Sequence, residues 1–292
     1  MDRELTIGEV YRAQMELRDL ARHPKIVGPT ALSDNCEIFL KPENLQHTGA
    51  FKLRGAAYKI SQLTDEEKKR GVIACSAGNH AQGVALSATR NGIKSLICLP
   101  QGAPISKIEA TKRLGAEVCL VPGVYDDAYA KALELRDKHG YTFVHPFNDP
   151  LVIAGQGTIG LEILEEMPDV QAIVVPVGGG GLIAGVAFAV KTLRPDIKVY
   201  GVQAAGAASM VESVKKGERV HLDSVHTIAD GIAVKEPGDL TFDLVSKYVD
   251  EMVSVTDDEI AGAILALIEK QKLVAEGAGA AAVAAAMYGH LP

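Results

Sequence analysis

The feature that most limits the folds open to this chain is a regular alternation of two patterns. Short runs of apolar, β-branched residues alternate with amphipathic stretches of helical length, which is typical of buried strands joined by crossover helices. Between residues 71 and 149 the predicted strands and helices are Val72–Cys75, Asn79–Arg90, Ser95–Leu99, Ile105–Leu114, Glu117–Val121, Tyr125–His139 and Thr142–Val144. Because βαβ connections are right-handed, this segment predicts one parallel sheet.

A second series of the same kind begins near residue 172. Its predicted strands and helix are Ala172–Val177, Ala184–Leu193, Lys198–Gln203 and Glu251–Val255. The first 70 residues add a helix at Ile7–Arg22 and a strand at Ile38–Lys41, and the sequence leaves open which sheet that strand joins. The Gly/Ala-rich stretch Glu276–Ala286 predicts a tightly packed helix, since Ala is the best helix former. The predicted fold class is therefore α/β, with two parallel-sheet domains.

Composition and charge exclude several classes of function. The chain has 30 Lys and Arg residues against 37 Asp and Glu residues, a formal net charge of −7. A nucleic-acid surface needs a basic patch to neutralise phosphates, so we expect no nucleic-acid partner.

No secretory signal and no apolar span of about 20 residues stands out, so we expect no membrane partner and a cytoplasmic location. His221 and His226 lack a partner pair of cysteines, so no metal site is predicted.

A lysine stands in an apolar setting near residue 50. Lys52 follows a glycine-containing turn within the segment Thr48–Gly55 and lies between Phe51 and Leu53. Partial burial disfavours the ammonium form, and a neutral amine can attack a carbonyl carbon or accept a proton. Taken alone, the pattern also fits an ordinary solvated lysine.

A second motif lies between a predicted strand and a predicted helix. It consists of Ser76, Ala77, Gly78, Asn79 and His80. Small residues at a helix N-terminus expose backbone N–H groups to an anion, and ligands of open α/β sheets bind beyond the carboxyl ends of the strands. The motif is thus suited to a carboxylate, although an ordinary helix N-cap has the same composition.

A third motif is a run of four glycines, Gly178, Gly179, Gly180 and Gly181, again between a strand and a helix. Each glycine costs roughly 1 kcal/mol relative to Ala in a regular element, so the run needs an offsetting interaction. A phosphate held by successive N–H groups would supply one, because no Cβ blocks its approach. The alternative is a flexible surface loop. The run matches neither a Walker loop nor the GxGxxG dinucleotide fingerprint.

Together these motifs resemble the fold-type II pyridoxal-phosphate enzymes, specifically the threonine/serine dehydratases and serine racemase. The resemblance covers nearly the whole chain and extends to further motifs, which are His145–Pro146, Ala154–Thr158, Ala229–Gly231 and Glu276–Gly279. It implies pyridoxal 5'-phosphate as cofactor and a fold like that of the tryptophan synthase β chain. It also implies a small domain, residues 71–149, inserted into a large cofactor-binding domain formed by residues 1–70 and 150–292.

The resemblance implies cofactor contacts for Phe51, Lys52, Asn79, Gly178, Gly179, Gly180, Gly181, Gly231 and Glu276. Lys52 would hold the cofactor as a Schiff base and act as the catalytic residue. Phe51 would pack against the pyridine ring, Asn79 would bond the ring's 3'-oxygen, and the four glycines would bind the phosphate. The backbone at Gly231 and the side chain of Glu276 would lie near the ring. The loop of Ser76, Ala77, Gly78, Asn79 and His80 would hold the substrate carboxylate.

Three departures from the family pattern bear on the function. Serine racemases place a serine, their second acid/base, where this chain has Ala77, which cannot move a proton. Their metal-binding loop carries carboxylates where this chain has Gln203 and Ser209, so this departure disfavours a divalent-cation site there and we predict no metal ligands. The family's Ser-Gly-Gly-Asn-like strand end and the regulatory domain of many relatives would follow Pro292, and we expect neither in this chain.

The expected reaction is elimination of water from L-threonine or L-serine, which gives a 2-oxoacid and ammonia. The sequence leaves two alternatives open: a serine racemase or other β-hydroxy amino acid enzyme, and an amino-acid-binding sensor without turnover. A NAD-dependent dehydrogenase is disfavoured because the GxGxxG fingerprint is absent. Besides a small-molecule amino acid substrate, the expected partner is a second copy of the chain, in a homo-dimer or homo-tetramer.

Overall fold

A computed structural model of the chain describes residues 4–292. The strands in chain order are β1 (Val27–Thr30), β2 (Ile38–Leu40), β3 (Val72–Cys75), β4 (Ser95–Pro100), β5 (Glu117–Val121), β6 (Thr142–Phe143), β7 (Ala172–Pro176), β8 (Lys198–Ala204) and β9 (Glu251–Val255). The helices are α1 (Ile7–Leu17), α2 (Lys52–Ser61), α3 (Asp65–Arg70), α4 (Asn79–Arg90), α5 (Ile105–Arg113), α6 (Tyr125–His139), α7 (Pro150–Glu166), α8 (Gly181–Leu193), α9 (Ser209–Lys216), α10 (Asp239–Tyr248), α11 (Asp257–Ala266) and α12 (Gly277–Met287).

The described residues divide into two compact units. The first contains the residues up to Arg22 together with Leu45–Gly155, and the second contains His23–Asn44 together with Gln156–Pro292. The chain passes from the first unit to the second within α7. Each unit has its own parallel sheet, as the alternating pattern of the sequence predicted.

The first unit is built on a four-stranded parallel sheet with the order β5-β4-β3-β6. All four residues of β3 are buried, because successive side chains point to opposite faces and both faces are covered. Val72 and Ala74 join a cluster with residues of α2 and α4, whereas Ile73 and Cys75 pack with residues of α6. The predicted helices Asn79–Arg90 and Tyr125–His139 therefore lie on opposite faces of the sheet.

The second unit is built on a three-stranded parallel sheet with the order β7-β8-β9. The Gly/Ala-rich helix α12 packs on this sheet, and its residues Ala280, Ala281 and Ala284 are fully buried in the same cluster as Val202 of β8. The small side chains let the helix approach the strands closely, so the prediction of a tightly packed helix is confirmed.

The N-terminal region differs from the sequence prediction in two ways. The strand predicted at Ile38–Lys41 joins neither parallel sheet but pairs antiparallel with β1, a short strand that the hydrophobic pattern did not predict because it contains Gly28 and Pro29. The helix predicted to reach Arg22 ends at Leu17. In residues 4–292 the structure contains no helix long and apolar enough to cross a membrane.

Candidate active site

The amine of Lys52 lies among protein atoms of the first unit, although the residue as a whole is only partly buried. Lys52 is the first residue of α2, and its Nζ donates a hydrogen bond to the carbonyl oxygen of Pro146 at 2.7 Å. The same nitrogen lies 5.3 Å from the centre of the Phe51 ring. Burial lowers the pKa of Lys52 to about 8, because the low-dielectric surroundings penalise the charged form. An appreciable fraction of the amine is therefore neutral near physiological pH, as Schiff-base chemistry requires.

Two glycines allow neighbouring helices to fix the position at which α2 begins. A Cβ at Gly83 of α4 would lie 3.1 Å from the backbone nitrogen of Leu53 and 3.2 Å from the carbonyl carbon of Lys52. A Cβ at Gly155 of α7 would lie 2.6 Å from the Cα of Gly55. Larger residues at either position would collide with the backbone that carries the lysine. Gly155 belongs to the Ala154–Thr158 motif, for which the sequence offered no physical reason.

The loop Ser76–His80 follows the carboxyl end of β3 and leads into α4. Ser76 continues the sheet, since its N–H donates to the carbonyl of Cys98 at 3.2 Å. The N–H of Gly78 donates to Ser76 Oγ at 3.1 Å, and Gly78 is the N-cap residue of α4. The loop is thus a helix N-terminus at the carboxyl end of a strand, where α/β folds bind ligands, and its binding of a carboxylate stays a prediction.

His80 is a buried, neutral histidine near Lys52. Its Nε2 lies 2.8 Å from the carbonyl oxygen of Val144, so Nε2 carries the proton, and Nδ1 is buried with no hydrogen-bond partner in the described residues. Burial, together with the charge of Lys52, lowers the pKa of His80 to about 3. The segment 144–146 at the end of β6 thereby binds both Lys52 and His80, which gives the predicted His145–Pro146 motif a structural role.

In the second unit, the glycine loop of residues 178–181 joins β7 to α8. Gly180 has φ +97°, in the left-handed region that favours glycine. A Cβ there would lie 2.7 Å from Met210 Cε and 2.9 Å from Thr241 Cβ. A Cβ at Gly178 would lie 3.1 Å from the Cα of Ile232. The loop is therefore packed closely against its surroundings and is not the flexible surface loop that the sequence left as an alternative.

Gly231 and Glu276, both predicted to lie near the cofactor ring, are close together in the second unit. A Cβ at Gly231 would lie 3.2 Å from Glu276 Oε1 and 2.9 Å from the Cβ of Ala278. Gly231 also lies next to the glycine loop, since its carbonyl oxygen is 3.6 Å from the position that a Cβ on Gly178 would take. The structure thus brings Gly178, Gly231 and Glu276 into one neighbourhood, and Lys52, Phe51 and His80 into another.

Two residues beside the glycine loop were not predicted to serve it. Thr241 of α10 is fully buried, and its Oγ1 donates to the carbonyl of Gly179 at 2.6 Å. Gln203 of β8 is also fully buried, and its Oε1 accepts the N–H groups of Met210 and Val211 at 2.8 and 2.9 Å. The sequence carries no signal for Thr241, because its partner lies 62 residues away in the chain.

The chain belongs to the pyridoxal-phosphate dependent enzyme family, whose model matches residues 25–292. It is accordingly a pyridoxal-phosphate enzyme with an α/β fold, as the resemblance predicted. It is 55% identical over 285 residues to an L-threonine ammonia-lyase of Thermotoga maritima, a match that covers 97% of this chain and 71% of that protein.

Solved structures show the same fold. A threonine deaminase isoform 2 from Solanum lycopersicum is 41% identical with a TM-score of 0.93, over 96% of this chain and 83% of that one. A serine racemase from maize is 35% identical with a TM-score of 0.94, over 96% of this chain and 86% of that one. The likeness to both enzymes shows that the fold by itself does not separate deamination from racemisation.

The residues present fit the family's cofactor. Lys52 offers a buried amine whose lowered pKa suits covalent attachment to an aldehyde. The glycine loop is packed so closely that Cβ atoms at Gly178 and Gly180 would collide with their neighbours, and it leaves the N–H groups of Gly179, Gly180 and Gly181 without an acceptor among residues 4–292. It also offers the positive end of α8, at which an anion is favoured.

Proposed function

We propose that this chain is an L-threonine ammonia-lyase, which converts L-threonine to 2-oxobutyrate and ammonia and also accepts L-serine, giving pyruvate and ammonia. The relatives at 41% and 55% identity bear the names threonine deaminase and L-threonine ammonia-lyase. Pyridoxal phosphate, when bound, supplies the electron sink that makes loss of the α-proton possible. The rest of the reaction depends on how the chain's own groups hold the substrate and move protons.

The observation that carries the proposal is the environment of the Lys52 amine. The amine is buried, has a pKa of about 8 and is positioned by the carbonyl of Pro146 at 2.7 Å. In the proposed reaction Lys52 anchors the cofactor and, once displaced by the substrate amine, removes the α-proton as a neutral base. A module that only bound amino acids would have no need of such an amine, which disfavours the sensor alternative.

The other proposed site residues bind and orient. The loop of Ser76, Ala77, Gly78, Asn79 and His80 would hold the substrate carboxylate through its N–H groups and the N-terminus of α4. His80 is neutral and donates its one proton to Val144, so it does not serve as the acid for the departing hydroxyl. Gly178, Gly179, Gly180 and Gly181 would hold the phosphate, which when bound would supply an acidic group near the departing hydroxyl, and Phe51, Asn79, Gly231 and Glu276 would contact the ring.

Racemisation of serine is the second candidate, because the fold matches maize serine racemase with a TM-score of 0.94. A racemase needs an acid on the face of the α-carbon opposite to Lys52. Ala77, at the position where the resemblance places that acid, offers only a methyl group. We therefore propose that elimination dominates over racemisation.

The proposal is tested by incubating the purified chain, loaded with pyridoxal 5'-phosphate, with L-threonine and separately with L-serine. We expect 2-oxobutyrate and pyruvate, each in equal amount to the ammonia released. The absence of 2-oxobutyrate under conditions in which the cofactor is bound would exclude an L-threonine ammonia-lyase. D-serine as the main product from L-serine would instead favour the racemase.

Three further expectations belong to this proposal. We expect a homo-dimer or homo-tetramer that works in the cytoplasm. We also expect residues 1–70 and 150–292 to act as the large cofactor-binding domain around an inserted small domain, residues 71–149. Light scattering of the purified chain tests the oligomeric state.

A further inference from the structure

We infer that Thr241 is a positioning residue for the phosphate of the cofactor, through its hydrogen bond to the carbonyl of Gly179 in the glycine loop. The inference rests on the proposed role of residues 178–181 as the phosphate site. It concerns a residue for which neither the sequence motifs nor the relatives' names suggest a role.

Three carbonyl groups of the glycine loop accept hydrogen bonds from neighbouring parts of the protein. Thr241 Oγ1 donates to the oxygen of Gly179 at 2.6 Å, and the N–H of Ala184 donates to the oxygen of Gly180 at 2.9 Å. The amide of Gln203 lies 3.4 Å from the oxygen of Gly178. Three consecutive carbonyls of the loop are thus held from within the second unit.

Holding these carbonyls determines where the N–H groups point. In a planar trans peptide, the C=O of one residue and the N–H of the next point in opposite directions. The bond from Thr241 to the Gly179 oxygen therefore directs the N–H of Gly180 away from Thr241. Among residues 4–292, the N–H groups of Gly179, Gly180 and Gly181 have no hydrogen-bond acceptor. They are the groups that an anion at the start of α8 would meet.

The bond is needed because the loop has little stiffness of its own. Consecutive glycines have a wide choice of φ and ψ, so the peptide between Gly179 and Gly180 can rotate at low cost. Thr241 limits this freedom, since its side chain is fully buried and packs where a Cβ on Gly180 would lie. Its hydroxyl also lies 3.2 Å from the Gly238 oxygen, but the shorter distance is to Gly179.

The test compares binding of pyridoxal 5'-phosphate and of pyridoxal, which lacks the phosphate, to the cofactor-free chain. Thr241→Val keeps the shape of the side chain and removes the donor. We expect it to weaken binding of pyridoxal 5'-phosphate about tenfold and to leave binding of pyridoxal unchanged. Thr241→Ser keeps the hydroxyl and should restore the affinity. Absorbance titration gives both affinities without any measurement of turnover.

A matched control is available in the same unit. Thr192 of α8 also donates from Oγ1 to a carbonyl at 2.6 Å, that of Phe188, but lies at the far end of the helix from the loop. Thr192→Val should leave both affinities unchanged. If Thr241→Val does not fold, Thr241→Ser and Thr241→Ala still isolate the hydroxyl, because both lack the methyl group, and Ala should bind the phosphate compound about tenfold more weakly.

Two results would overturn the inference. One is a Thr241→Val chain that binds pyridoxal 5'-phosphate as tightly as the unmodified chain. The other is an equal loss of affinity for both compounds, which would reveal a general structural effect. If the unmodified chain itself shows no preference for the phosphate compound, the glycine loop is not the phosphate site and the proposed site fails at that earlier point.

Discussion

In the first unit the proposed site consists of titratable side chains, Lys52 and His80. In the second unit it consists of the backbone N–H groups of the glycine loop, which neutral side chains hold in place. Burial lowers the pKa of Lys52 to about 8 and that of His80 to about 3. The protonation states of these two side chains therefore depend on the exclusion of water. The glycine loop is held by Thr241 and Gln203, neither of which titrates.

Proton transfer in the first unit depends on a shifted pKa, whereas anion binding in the second unit depends on fixed peptide dipoles. An amine can move a proton at neutral pH only if its surroundings shift its pKa, which makes the first region sensitive to pH. Fixed peptide dipoles attract a phosphate with no change of protonation, which makes the second region insensitive to pH. Substitutions in the first unit should therefore change the rate, and those in the second should change retention of the cofactor.

The largest effect is expected for Lys52→Ala. The variant loses the proposed α-proton base, so turnover of L-threonine should fall by roughly 10³-fold or more. The variant also loses the covalent anchor, so the cofactor should still bind, but only noncovalently, through the intact glycine loop. Release of 2-oxobutyrate measures the first effect, and absorbance of the protein after gel filtration measures the second. Lys112→Ala, on the exposed side of α5, serves as the control. Near-normal turnover in Lys52→Ala would show that Lys52 is not the α-proton base and that proton transfer does not depend on the first unit in this way.

Gly180→Val should have the converse effect, on cofactor retention. Its Cβ would collide with Met210 and Thr241, and the left-handed φ of +97° adds strain, so the loop must shift away from the proposed phosphate position. We expect about 100-fold weaker binding of pyridoxal 5'-phosphate. Gly217→Val is a matched control in the same unit, since Gly217 has φ +73° but nothing within 4 Å of its Cβ position. Unchanged affinity in Gly180→Val would show that the phosphate lies elsewhere.

The pH dependence of cofactor incorporation should separate the two regions. Lys52 attacks an aldehyde only as the neutral amine, and its pKa is lowered from 10.5 to about 8. Below pH 8 the neutral fraction rises about tenfold per pH unit, and above pH 8 it levels off. The rate at which the cofactor-free chain takes up pyridoxal 5'-phosphate should follow this curve.

Free Nα-acetyl-lysine provides the reference for that experiment, since its ordinary pKa should let its rate rise to about pH 10. A rate for the protein that also keeps rising from pH 8 to pH 10 would contradict the lowered pKa. The preference for pyridoxal 5'-phosphate over pyridoxal, which reports on the second unit, should stay constant above pH 7 because the phosphate is already ionised.

The smallest effect is expected for Ala77→Ser. The hydroxyl would supply an acid at the position where the resemblance places the second acid of the racemases, so the D-serine formed from L-serine should rise from a trace to a measurable share. Cofactor binding should not change. Chiral chromatography of the products measures the ratio, with Ala77→Gly as a control that alters the side chain without adding a hydroxyl. Substantial D-serine from the unmodified chain would show that another group or water protonates the opposite face.

Many elements of the fold could be predicted because their signals are local. The pattern predicted β3, β5, β9, α4 and α6 with the bounds that the structure has. Each is marked by apolar periodicity and by turn residues within a few positions. Helix α3, with the sequence DEEKKR, was missed because it has no apolar face. It is stabilised by a capping box in which Thr64 and Glu67 bond to each other's backbone N–H.

The sequence by itself determined the fold class, the family and the residue types of the proposed site, because motifs such as Lys52 in its apolar turn and the glycine run are contiguous in the chain. The tertiary structure alone decided what holds those residues. The partner of the Lys52 amine is the carbonyl of Pro146, 94 residues away, and the donor to Gly179 is Thr241, 62 residues away. Periodicity reports which face of an element is buried, but the identity of a distant partner depends on strand order and loop closure. The placement of a site residue also depends on how closely neighbouring helices approach its backbone, as Gly83 and Gly155 approach the start of α2. The local sequence does not encode these approaches.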